Sequence, residues 1–132
     1  MIVETEHGKI IGGFTSFVWF KTKTAHWVSS AENSPDHFLF SLTNNHKLSI
    51  TQNATTCIYQ EPDDSIALRF GGGNDLIIWN KANENSNSYA NPGSTYTNGN
   101  YTLNDNASHI RFGGAKNFKI KEWEVWRVFF NQ

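Results

Sequence analysis

The sequence predicts a mainly β protein, a two-sheet antiparallel β-sandwich with few short helices. Three observations carry this. Short runs rich in β-branched and aromatic residues recur along the chain. Clusters of Gly, Asn, Asp and Pro separate them, and no stretch shows a strong amphipathic helical pattern. Ile10 to Phe20 is an apolar, β-branched and aromatic run interrupted by Gly12-Gly13. Thr24 to Ala31 has room for one or two helical turns. Phe38-Leu-Phe-Ser-Leu42, preceded by Ser34-Pro35-Asp36, is short enough and flanked well enough to be a buried strand. Lys47 to Thr51 alternates Leu48 and Ile50 with polar neighbours, and Thr55 to Tyr59 is a further short strand. Glu61-Pro62-Asp63-Asp64 reads as a turn. Ile66–Phe70, the glycine run 71–73 with Asn74-Asp75, and Leu76–Trp79 form a hairpin pattern in which glycine supplies a positive φ.

The stretch 81–106 is rich in Asn, Ser, Gly and Tyr and reads as a long loop, with at most a short strand near Tyr101–Leu103. Arg111-Phe-Gly-Gly-Ala-Lys-Asn-Phe echoes Arg69-Phe-Gly-Gly-Gly-Asn-Asp-Leu, so the pattern suggests a second hairpin of similar design. From Phe118 to Phe130 the apolar residues change parity. Either a β-bulge near Lys121–Glu122 flips the phase, or the strand is buried on both faces.

At 132 residues the chain is read as one domain, residues 1–132. Its 14% aromatic share makes it globular, because so many rings need burial. The net charge of −1 removes an electrostatic case for binding nucleic acid or an anionic membrane. One cysteine, Cys57, excludes an internal disulfide and Cys-rich zinc patterns. No apolar run reaches the ~18 residues of a membrane span, so no membrane insertion is expected. The first residues lack the basic and apolar regions of a signal peptide, and a cytoplasmic location is the expectation.

The chemical motifs are few. Gly71-Gly72-Gly73 lacks the Gly-Lys-Ser/Thr ending of a phosphate loop, and Gly12-Gly13 and Gly113-Gly114 fail the same test. Tight turns or close backbone packing explain all three. His7, His26, His37, His46 and His109 show no helical metal-ligand spacing. No metal and no cofactor is expected. Cys57 lies in an apolar strand pattern, where a thiol usually serves as a small hydrophobe; a peroxide-reactive thiol is the enzymatic alternative. Glu122 and Glu124 flank Trp123, and a carboxylate against an indole ring has a route to a raised pKa. Pairing or solvation is the simpler account, and no catalytic residue is assigned. Tyr89, Tyr96 and Tyr101, in their Asn-rich surroundings, offer a carbohydrate-binding surface as another alternative.

Four motifs in order resemble the TLDc domain family, the C-terminal domain of oxidation-resistance proteins. They are Gly12-Gly13-Phe14-Thr15-Ser16 with Trp19; Asp36 before Phe38-Leu-Phe-Ser-Leu42; Phe70-Gly71-Gly72-Gly73 with Asp75-Leu76; and Phe118-Lys-Ile-Lys-Glu-Trp-Glu-Val-Trp126. The resemblance runs from about Ile10 to Val128. It implies a two-sheet antiparallel sandwich flanked by short helices. It also implies a non-enzymatic protein-interaction domain linked to oxidative-stress resistance, with subunits of the vacuolar proton-pumping ATPase as candidate partners. The family motif matches Gly12, Gly13, Asp36, Gly71, Gly72, Gly73, Asp75, Glu124 and Trp126, in structural or partner-binding roles. The family domain also has an N-terminal helical region, and only a short segment precedes Gly12 here. The chain is then a minimal member or a fragment.

Overall fold

The computed structural model describes residues 1–17, 24–31, 36–62 and 65–129. The expectations placed on Trp19, Phe20, Ser34-Pro35, Asp63-Asp64 and Phe130 lie outside the described residues. Among the described residues there are twelve strands and one helix: β1 Ile2–Thr5, β2 Ile10–Thr15, β3 His26–Val28, β4 His37–Ser41, β5 His46–Ile50, β6 Ile58–Gln60, β7 Ile66–Phe70, β8 Leu76–Trp79, β9 Ser88–Ala90, β10 Tyr96–Thr97, α1 Asn106–Gly113, β11 Asn117–Phe118 and β12 Ile120–Glu124. They form two six-stranded sheets, ordered β10-β5-β4-β2-β1-β12 and β11-β9-β8-β7-β6-β3. Every strand pairing is antiparallel. The mainly β, two-sheet expectation therefore holds.

Period-two burial builds the core. In β4, His37, Leu39 and Ser41 point inward while Phe38 and Phe40 stay half-exposed. The outer rings are still used. Phe14 stacks on Phe38 with centroids 5.1 Å apart, and Lys47 Nζ lies 4.5 Å from the Phe38 centroid. Val3, Ile11, Leu39, Leu48, Tyr96 and Ile120 of one sheet, with Val28, Ile58, Phe70, Leu76, Ile78 and Phe118 of the other, make one cluster that Phe112 of the helix joins. Leu42, which the pattern places in a buried strand, is exposed because β4 has ended before it.

Gly12-Gly13 does not interrupt its strand. Both residues pair within β2, against Phe40 and Leu39. A Cβ on Gly13 would come within 2.6 Å of the Phe70 ring, and one on Gly12 would strike Met1 O and the Phe40 ring. Close packing, not turn geometry, selects glycine there.

Three local expectations differ from the fold. Thr24–Ala31 contains the strand β3, where His26, Trp27 and Val28 pair with β6. Tertiary pairing and β-branched or aromatic side chains outweigh the helical option. The 81–106 stretch, expected as a long loop, holds β9 and β10, and the strand anticipated near Tyr101–Leu103 is absent. Short strands of two or three residues have too little period to be seen in sequence. The second Arg-Phe-Gly-Gly is the end of α1, not of a strand. Asp105 caps this helix by accepting from Ser108 N at 3.0 Å, and Gly114 closes it at φ 90° with its N–H on Ile110 O. The echo between the two segments is one of composition: the same tetrapeptide ends a strand once and a helix once.

Candidate functional site

The family-motif residues separate into three places. The first is the β7–β8 turn. Gly71 adopts φ +83° and Asn74 +59°, and Asn74 N donates to Gly71 O at 3.0 Å. Gly72 does not need a positive φ; a Cβ there would instead press on Thr56 Oγ1 at 2.5 Å, and one on Gly73 would meet Ser94. Bare backbone on this turn lets the adjoining Asp75 fold in completely. Its carboxylate is fully buried and accepts backbone N–H bonds from Ser94 (3.2 Å), Thr95 (3.3 Å) and Tyr96 (2.9 Å). Burial pushes its pKa up to about 6, against the opposing pull of those N–H donors. Asp75 ties the 91–97 segment to the hairpin. Beneath it, Cys57 O accepts from both Gly71 N (2.9 Å) and Tyr96 Oη (2.8 Å). Gly71 and Asp75 make this place an internal anchor, while Gly72 at the tip of the turn is exposed.

The second place is the mouth of β2 and β4. Asp36 works there through its backbone: its N–H donates to Ser16 Oγ at 2.6 Å and its carbonyl accepts from Ser16 N at 2.9 Å. Its charge also opposes the lowering of the His37 pKa that burial causes. His37 Nδ1 lies 2.9 Å from Thr15 Oγ1.

The third place is the C-terminal edge. Glu4 pairs with Glu122 and Thr5 with Ile120, which leaves Lys121 as the extra residue of a bulge. The parity change in the sequence marks this bulge. Beyond it, the chain does not make the buried continuation that a phase flip would give. Ile2 pairs with Glu124, so β1 has run out, and among the described residues no strand accompanies the chain further. Trp123 (47% exposed), Val125 (65%), Trp126 (66%), Val128 (52%) and Phe129 (76%) are all bare. Glu124 Oε2 accepts from Trp126 Nε1 at 3.0 Å, and Arg127 lies over the Phe129 ring at 5.0 Å. Among the described residues, local contacts of this kind hold the arm.

The alternative chemistries fare differently. Cys57 is fully buried, burial raises its pKa to about 11, and its Sγ sits 3.8 Å from Ala54 O. It has neither access nor thiolate character. The tyrosine surface loses two of its three rings. Tyr96 is fully buried and bonded to Cys57 O, and Tyr101 is buried with its hydroxyl 2.8 Å from His46 Nδ1. Tyr89 alone of the three stays half-exposed, beside Lys116. No group of three or more metal-capable side chains gathers among the described residues. His109 is used internally, its Nε2 2.8 Å from Asn91 Oδ1.

An aromatic and cationic cluster on the outer face of the second sheet had no sequence signal. The Arg69 guanidinium there lies 4.9 Å from the Tyr59 ring and 5.4 Å from Trp27, donates to Asn74 at 2.7 Å and faces Glu61 at 3.6 Å. Three strands bring these residues together, so only the sheet order reveals the cluster.

A family model, the TLDc domain, matches residues 1–129 of the chain. No curated protein and no solved structure matches it. Among the described residues no helix is long and apolar enough to cross a membrane.

Proposed function

Because the chain belongs to the TLDc domain family, we propose that it is a non-enzymatic protein-interaction domain that regulates the vacuolar proton-pumping ATPase and supports oxidative-stress resistance. The observation that carries the interaction reading is the bare arm from Trp123 to Phe129 at the edge of a closed sandwich. Aromatic residues concentrated on an exposed edge are what a protein partner anchors on. Trp126 and Glu124, both in the family motif, belong to this arm. Gly12, Gly13, Asp36, Gly71, Gly72, Gly73 and Asp75 act in support, by fixing the body from which the arm projects. The proton pump as partner comes from family membership, as does a cytoplasmic site of action.

The test adds the purified chain to purified vacuolar ATPase and monitors ATP hydrolysis and release of the soluble sector. The expected result is a dose-dependent change in both that Trp123→Ala/Trp126→Ala abolishes while the variant stays folded. No effect of the wild-type chain on either readout refutes the pump as partner. A peroxide-handling role through Cys57 is disfavoured by the burial of its thiol. Peroxide consumption lost in Cys57→Ser would restore it.

A further inference from the structure

We propose that the outer edge of β12 and its continuing arm pair with the same edge of a second copy of this chain, antiparallel and centred on Val125. This rests on reading the arm as an interaction surface and names a competitor for it. Among the described residues β12 is the last strand of its sheet. The N–H of Ile120 already donates to Ala82 O at 2.8 Å, so the open edge begins after the Lys121 bulge. Such an edge is a template for another strand.

The sequence of the arm selects the occupant. Two identical edges related by a twofold axis normal to the sheet must be centred on a residue, because residues that face each other point to the same side. Centring on Glu122 sets that carboxylate against its own copy. Centring on Trp123 sets Glu122 against Glu124 twice. Centring on Glu124 sets that carboxylate against its own copy. Like charges directly opposite destabilise a sheet. Centring on Val125 removes every such clash. It sets Val125 on Val125, Trp123 on Arg127, Glu124 on Trp126 and Glu122 on Val128. Two Trp–Arg pairs then give cation–π contacts, a kind of contact this chain already makes between Arg127 and Phe129 and between Lys47 and Phe38. Centring on Trp126 also avoids like charges but sets Val125 on Arg127, Glu124 on Val128 and Trp123 on Phe129, with no cation–π pair. Pairing by either register would cover the arm and withhold it from another partner.

The experiment is sedimentation of the full chain over a concentration series, together with disulfide trapping. A single cysteine is introduced as Val125→Cys or Trp126→Cys, and the buried Cys57 stays silent. Expected is a doubling of mass with concentration, and trapping of Val125→Cys several-fold above Trp126→Cys. Val125→Pro, which removes the central N–H from the bare arm, is expected to be monomeric with an unchanged melting temperature. A wild-type chain that stays monomeric throughout, a dimer that survives Val125→Pro, or stronger trapping at Trp126→Cys overturns the proposal. A monomeric chain that still acts on the pump overturns the pairing alone. A dimer with no effect on the pump overturns the partner alone.

Discussion

Asp75 shows how one carboxylate can hold a fold together and still make it sensitive to pH. Its folded pKa stands above the usual 3.8, at about 6. The folded state therefore holds the proton more tightly than the unfolded chain. Asp75 contributes most stability below about pH 4, and this is lost as pH rises through about 6. The size is on the order of 3 kcal/mol. Subtracting the pH–stability profile of Asp75→Asn from that of the wild type is expected to expose this fall, and a flat difference would contradict it. Asp75→Ala strands three backbone N–H groups and is expected to cost about 3 kcal/mol or more in denaturant unfolding. At Cys57 the raised pKa and full burial predict a thiol that reacts with an aromatic disulfide reagent only after unfolding. Rapid labelling of the native chain would contradict the core role.

At the scale of elements, glycine separates two physical costs. Gly8 in the β1–β2 turn adopts φ +75° with nothing near a Cβ. Gly114 at the end of α1 adopts φ +90°, and its Cβ would run into His7. Gly8→Ala is expected to cost about 1 kcal/mol from backbone strain alone, and Gly114→Ala clearly more, when the two are compared by chemical unfolding. Equal losses would mean that His7 yields freely. Some elements are legible because their signals are local. The hairpin of β7 and β8 needs only two apolar runs and glycine between them. The β12 bulge shows as a change of parity at Lys121. The helix α1 carries its own signals, Asp105 before the first turn and Gly113-Gly114 after the last, but the resemblance to the β7 tetrapeptide masks them. β9 and β10 have no signal of their own: their residues become strands because neighbours in the sheets accept them.

At the scale of the molecule, β1 and β12 lie side by side, so the two ends of the matched region close one sheet edge. Past the end of β1, Trp126 and Phe129 stay bare, whereas Trp123, paired with Val3, is about half covered. Trp126→Ala is therefore expected to change stability by no more than about 0.5 kcal/mol while weakening any association that uses the arm. A large loss of stability in that variant would show that the ring belongs to the fold instead. The inward-facing motif residues behave in the opposite way. Gly13→Ala forces a methyl into the Phe70 ring and is expected to cost about 1–3 kcal/mol, with a surface that is otherwise unaltered.

The mainly β class, the central hairpin, the bulge and the family are all written in the order of the residues, because period-two burial, turn chemistry and ordered motifs involve near neighbours in the chain. Which aromatic residues are core and which are bare is settled only in three dimensions. Tyr96 lies among polar neighbours and Trp126 beside valines, yet it is Tyr96 that is buried and Trp126 that is exposed. One lies under a buried carboxylate at the edge of a sheet that the second sheet covers; the other lies past the point where β1 ends. Accessibility depends on what the chain places alongside a residue from far away, and no local pattern encodes that.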